Sequence, residues 1–174
     1  MTAAVNAQCV IAGGGPAGMM LGYLLARGGV DVVVLEKHAD FLRDFRGDTI
    51  HPSTLEVIGA LGLLDAFLGR PHQEMREAAV RIGDETITVA DLGHLPTRCK
   101  FIALMPQWDF LDFLAEAGRR IPNFRLCMRT RASALVIEED RVVGLTAEGP
   151  DGPGEFRAPL VIGADGRHST VRQG

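Results

Sequence analysis

Cysteine is nearly absent: three residues in 174, Cys9, Cys99 and Cys127. An odd, widely spaced set excludes a disulfide framework and a cysteine metal cluster. Cys9 lies in an apolar run, where a buried thiol is expected. No stretch approaches the 18 or so uninterrupted apolar residues of a membrane span. The first residues, MTAAVNAQ, carry neither a basic n-region nor an apolar h-region. Charge of one sign is also lacking. A net charge of −4 gives no general pull toward nucleic acid or anionic membranes. There is no internal repeat and no low-complexity tract. These absences leave a globular protein, expected in the reducing cytoplasm, with no nucleic-acid partner and no membrane anchor. Hydrophobic residues at 47% and charged residues at 23% are enough for a sizeable core.

What is abundant is glycine, 21 residues, and its placement is informative. QCVIA at 8–12 reads as a short buried strand and 16–28 as a helix, with Pro16 in its first turn and Gly28 and Gly29 as its stop. DVVVLE at 31–36 is a second buried strand. Strand, helix and strand at this spacing form a βαβ unit with parallel, neighbouring strands. Residues 51–68 predict one or two helices, with Ser53 and Thr54 as capping candidates. Residues 78–90 predict strands of a different sheet around a Gly83-Asp84 turn. A strand at 100–105 precedes a helix over about 107–120. A meander follows at 132–138, 141–147 and 154–158, with EED at 138–140 and the Pro/Gly run at 148–155 as turns. PLVIGADG at 159–166 returns as a buried strand running into a glycine turn, and Ser169 is placed to cap a following helix. The fold class is therefore α/β, with a Rossmann-like parallel core, an inserted β-rich stretch and a meander crossover. The expected division is 1–75 for the core and following helices, 76–105 for inserted strands, and 106–174 for the return to the core.

Gly13, Gly15 and Gly18 match G-x-G-x-x-G. The pattern alone fits any tight strand-to-helix turn. Here it follows a strand and opens a helix, as dinucleotide binding requires. Gly13 permits the turn, Gly15 lets the backbone approach a diphosphate, and Gly18 lets helix and strand pack closely. The amides at the helix start would face the phosphates. Glu36, ending the second strand, is placed to accept hydrogen bonds from a ribose diol, and disfavours a 2′-phosphate. The alternative for Glu36 is a solvated strand-end carboxylate. This fingerprint leaves NAD and FAD both open.

VIGADGRHSTVR at 161–172 discriminates between them. Beside the first motif it resembles the "DG" motif of FAD-dependent aromatic hydroxylases, the group A flavoprotein monooxygenase family typified by p-hydroxybenzoate hydroxylase. GGGPAG with VVVLEK, RGDTIHPSTLEVIGALGL at 46–63, MPQWDFLDFLAEAG at 105–118 and RTRASAL at 129–135 resemble the family in the same order. The resemblance implies FAD as cofactor and NAD(P)H as reductant, with O2 used to hydroxylate a small, aromatic-type substrate. It implies that Gly13, Gly15, Pro16, Ala17 and Gly18 cradle the diphosphate and that Glu36 holds the adenosine ribose, with Lys37 beside it. Arg46 would reach the diphosphate or ribityl region, Gln107 the ribityl chain, and Arg131 and Ala132 the adenine through their backbone. Asp165 would bond the ribityl or diphosphate region, and Arg167 and His168 are the candidates for the NAD(P)H diphosphate. No catalytic acid or base and no metal site is indicated.

Family chains run to about twice this length, so the sequence is expected to be an N-terminal fragment without the flavin-ring seat, with uncovered surfaces that favour self-association. Two other readings stay open: a superfamily member with dehydrogenase, halogenase or prenyl reductase chemistry, and a catalytically incomplete nucleotide-binding fragment.

Overall fold

The computed structural model describes residues 4–42 and 48–174. The chain divides into two compact units, Met1–Leu42 with Leu111–Gly174, and Arg43–Phe110. In chain order the first segment contributes β1 (Val5–Asn6), β2 (Cys9–Ala12), α1 (Pro16–Arg27) and β3 (Val32–Leu35). The second unit follows with β4 (Thr49–Ile50), α2 (Pro52–Ala60), α3 (Leu64–Leu68), β5 (Gln73–Met75), β6 (Glu77–Ile82), β7 (Glu85–Asp91) and β8 (Ile102–Leu104). Helix α4 (Gln107–Gly118) leads back to β9 (Phe124–Cys127), β10 (Arg131–Glu138), β11 (Arg141–Gly149), β12 (Gly152–Arg157), β13 (Leu160–Gly163) and α5 (Thr170–Gln173).

The first unit is built on a four-stranded parallel sheet in the order β13-β2-β3-β9. Every residue of β2 and β3 is buried. A parallel strand covered on both faces needs such an uninterrupted apolar run, and CVIA and VVVL supply it. Side chains alternate between the two faces. Val10, Ala12, Val33 and Leu35 pack against Leu145, Ala147 and Phe156 of a second sheet, ordered β1-β12-β11-β10, and against Ala158 just past β12. On the opposite face, a Cβ at Gly22 of α1 would stand 2.6 Å from Val34 and 3.1 Å from Phe124. Gly22 thus sets how closely α1 approaches the sheet. Helix α1 stops at Arg27, and Gly29, at φ +89°, turns the chain toward β3.

Two local readings are corrected. Ser53 and Thr54 do not cap α2. Pro52 occupies the first helical position and makes His51 the capping residue, with no side-chain cap bond; proline fixes the start because its missing N–H loses no helical bond there. In the Pro/Gly run at 148–155, only Pro150 and Asp151 form the turn. Gly149 pairs with Gly152 and Glu148 with Pro153, so the ladder continues through the glycines. Four further strands lie where the sequence reading placed none: β9 at the edge of the core sheet, the two-residue β1, which pairs with β12 in parallel, and β4 and β5, which both pair with β8.

In the second unit, β8 lies between β4 and β5 in an antiparallel sheet, and β6 and β7 form a separate hairpin across Gly83-Asp84. Its core includes Leu55, Ile58, Leu64, Phe67 and Phe110. Phe67 and Phe110 meet edge to face, with ring centroids 5.9 Å apart. Val80, Ile82, Ile87 and Val89 of the hairpin are exposed.

Candidate cofactor site

The C-terminal ends of β13, β2 and β3 lie side by side, with Gly163 opposite Ala12 and Ala12 opposite Leu35. Three pieces of sequence far apart in the chain therefore meet there: the glycine loop after β2, Glu36 after β3, and Asp165 after β13. The crevice beyond the carboxyl ends of such strands is where open α/β sheets bind their ligands.

Gly13 is where the first and third pieces touch. Its amide donates to the Leu35 carbonyl at 2.8 Å, and the Ala164 amide donates to the Ala12 carbonyl at 2.7 Å. Its φ is +107°, and a Cβ would stand 2.3 Å from the Ala164 carbonyl oxygen. Only glycine satisfies both constraints. Gly18 is restricted by backbone too, because a Cβ there would lie 1.9 Å from the Gly13 carbonyl. A Cβ on Gly14 would meet the Glu36 side chain at 2.7 Å. At Gly15 it would meet nothing within 4 Å among the described residues. No described residue requires glycine at this position.

Gly15 is also the N-cap of α1. It has no side-chain cap bond, Pro16 follows it, and no acidic residue sits in the first turn. The first-turn amides of Ala17 and Gly18 lack intrahelical acceptors, as at any helix start, and carry the positive end of the helix dipole. An anion fits there.

Glu36 is buried at 7% exposure. Its Oε2 accepts from the Gly14 amide at 3.0 Å and its Oε1 from the His38 amide at 2.9 Å. His38 Nδ1 stands 2.5 Å from the same Oε1. Burial pushes the Glu36 carboxyl up, but the bonds from His38 and Gly14 outweigh it and hold the pKa below 4.5. An ionised carboxylate only accepts, so in this contact His38 Nδ1 is the donor. Asp165 is held similarly. Its Oδ2 accepts from the Thr170 amide at 2.6 Å. Burial raises its carboxyl, while the Ser169 hydroxyl and the local amides lower it further, to below 3.8. Its Oδ1 is buried with no hydrogen-bond partner among the described residues. A buried carboxylate oxygen without a donor is costly, and a donor from a bound molecule relieves the cost.

The remaining predicted residues are distributed as follows. Lys37 is exposed beside Glu36. Arg131 and Ala132 open β10, paired with Glu148 and Ala147, and Ala132 packs on the core. Arg167 and His168 are exposed in the turn after Asp165, where the Arg172 guanidinium donates to the Arg167 carbonyl. Gln107 opens α4 and belongs to the second unit. Arg46 lies outside the described residues. Sequence reasoning missed His38, for which adjacency to Glu36 is the sole signal. It also missed Arg129, whose φ of +53° is rare for a residue with a side chain. The Arg129 amide donates to the His38 carbonyl, and the Thr130 amide to the Glu36 carbonyl, each at 2.8 Å.

A glycine loop opening a helix, a buried acid after the strand on one side of it, and, after the strand on the other side, a carboxylate oxygen with no partner among the described residues define a dinucleotide-binding α/β domain. Residues 6–174 match the FAD binding domain family, and the chain belongs to it. The chain is 33% identical over 165 residues to 6-methylpretetramide 4-monooxygenase of Streptomyces rimosus, covering 95% of this chain and 39% of that protein. It is 34% identical over 167 residues to rifampicin monooxygenase of Streptomyces venezuelae, covering 94% and 33%. Among solved structures, p-nitrophenol 4-monooxygenase from Pseudomonas putida DLL-E4 superposes with a TM-score of 0.86 at 29% identity, covering 98% of this chain and 43% of that one. The chain thus spans between a third and just over two-fifths of these relatives. Among the described residues, no helix is long and apolar enough to cross a membrane.

The residues present fit FAD. Gly15 leaves room for a phosphate against the backbone, the first-turn amides supply donors, and Asp165 Oδ1 awaits one.

Proposed function

We propose that this chain is the FAD-binding portion of a flavin-dependent monooxygenase that takes electrons from NAD(P)H and hydroxylates a small aromatic substrate with O2. The observation that carries the reading is the convergence of Gly13–Gly18, Glu36 and Asp165 at the ends of three adjacent parallel strands. The amides of Gly15, Ala17 and Gly18, with Gly13 and Pro16 shaping the loop, hold the diphosphate. Glu36 orients the adenosine ribose, with Lys37 beside it, and Arg131 and Ala132 border the adenine. Asp165 bonds the ribityl or diphosphate region, partly through its neighbours. Arg167 and His168 are the exposed pair for the NAD(P)H diphosphate. Bound FAD supplies the electron transfer and the oxygen chemistry, while this chain binds and orients it. The aromatic substrate is inferred from relatives whose names specify 6-methylpretetramide and p-nitrophenol. Three free thiols support a reducing cytoplasm. The exposed apolar side chains of the β6–β7 hairpin support self-association of the chain by itself.

Purified protein tests the reading directly. It should be yellow, with flavin bands near roughly 370 and 450 nm, and its Tm should rise with added FAD. A colourless protein whose Tm ignores excess FAD overturns it.

A further inference from the structure

Glu36 Oε1 already holds two donors, the amide and the ring of His38. A carboxylate oxygen offers about two lone-pair directions. A ribose diol that binds Glu36 through this oxygen must therefore share it with the imidazole or displace it. Which of the two donors yields is decided by the backbone. The Glu36–His38 segment is clamped at three points: the Glu36 amide donates to the Cys127 carbonyl at 2.8 Å, and the amides of Thr130 and Arg129 donate to the carbonyls of Glu36 and His38. The third of these clamps uses a residue in the left-handed region, Arg129 at φ +53°. Such strain persists only where the surroundings fix it, and it collects at functional sites. The amide bond of His38 to Oε1 is accordingly fixed. The ring is not, since its side chain is 45% exposed and can rotate into solvent about its own χ angles with no backbone movement.

We infer that the His38 imidazole is a built-in stand-in for one ribose hydroxyl on Glu36, displaced when the diol of an ADP moiety binds, so that it tempers affinity at this site. The inference rests on the reading of the crevice as a nucleotide site and adds a residue that sets its affinity. Before ligand arrives the ring adds a second donor on Oε1 beside the His38 amide. The exchange trades one N–H···O bond for one O–H···O bond and transfers no proton.

Calorimetric titration of the protein and its His38→Ala variant with ADP and with 2′,3′-dideoxy-ADP tests this. The variant should bind ADP about three- to tenfold more tightly, the worth of one hydrogen bond no longer displaced. Its affinity for the dideoxy analogue should equal that of the unaltered protein. Equal or weaker ADP binding by the variant overturns the inference, and so does an equal gain with the dideoxy analogue. As a second measurement, the 15N resonance of His38 Nδ1 should move on ADP addition; an unmoved resonance overturns displacement. Absence of both ADP and FAD binding by the unaltered protein sinks the nucleotide-site reading and this inference together. Tight FAD binding with unchanged ADP affinity in the variant sinks this inference alone.

Discussion

Gly15 and Gly18 are the same residue type, three positions apart, held for opposite reasons. A methyl group at residue 18 runs into the Gly13 carbonyl at 1.9 Å, a collision between two pieces of backbone. Gly18→Ala should destabilise the protein by about 1–3 kcal/mol, measured by urea unfolding, because neither partner can rotate away. A methyl group at residue 15 meets none of the described residues. Gly15→Ala should cost about 1 kcal/mol or less of stability, the difference between glycine and alanine at a helix N-cap. Its FAD affinity should nonetheless fall at least about tenfold, because the methyl fills the place of a phosphate. Equal FAD affinity with unchanged stability would remove the diphosphate from Gly15. Glu36→Ala should weaken FAD binding by about 1–3 kcal/mol, the cost of leaving ribose hydroxyls unpaired, and fluorescence titration would read it. The glycines and Glu36 were legible in the sequence because their spacing is fixed by a mechanism. His38 was not, since a histidine two residues past a strand-end acid has no spacing rule to betray it.

At the scale of elements, legibility followed the strength of the hydrophobic pattern. The strands β2 and β3 are apolar at every position and lie in the middle of the sheet, so the βαβ unit could be read directly. The edge strand β9, FRLC, has Arg125 in its middle. That arginine is not a flaw in the strand. Its guanidinium bonds the Asp31 carboxylate at 2.9 Å and the Asn6 carbonyl at 2.7 Å, tying the sheet edge to the turn before β3 and to β1. A charged edge also discourages strand addition. Four residues with one charge carry too little periodicity to identify such a strand without its neighbours. The predicted cap at Ser169 is present: its Oγ accepts from the Arg172 amide at 3.0 Å. Helix α5 has only four residues, so this cap and the Asp165 bond to Thr170 are a large share of what orders it. Ser169→Ala should cost about 1 kcal/mol in thermal unfolding. It should also weaken FAD binding, because Asp165 loses part of its frame.

For the molecule as a whole, Glu36 and Asp165 make stability depend on acid. Both carboxyls titrate below their ordinary values of 4.5 and 3.8 when folded. The unfolded chain therefore takes up protons first as pH drops. The stability these groups contribute is complete above their unfolded pKa values and is lost as pH falls through the lower folded ones. Stability should be flat with respect to these two groups from neutral pH down to about 5 and then decline. In Glu36→Gln the decline should be shallower, as followed by Tm against pH. The order of the core sheet has a different consequence. Its strand β2 is flanked on one side by β3, made soon after it, and on the other by β13, where Cys9 pairs with Leu160. The fourth strand, β9, begins only at Phe124. During synthesis, then, the ribosome releases β2 and β3 long before their outer partners exist, and the loop closures that complete the sheet are long ones. Until residue 163 emerges, a strand apolar along its whole length keeps one open edge, the kind of surface that holdase chaperones cover. Nascent chains arrested before residue 160 should remain protease-sensitive through the β2–β3 region. The protein's dependence on chaperones would thus be set by strand order and not by final stability.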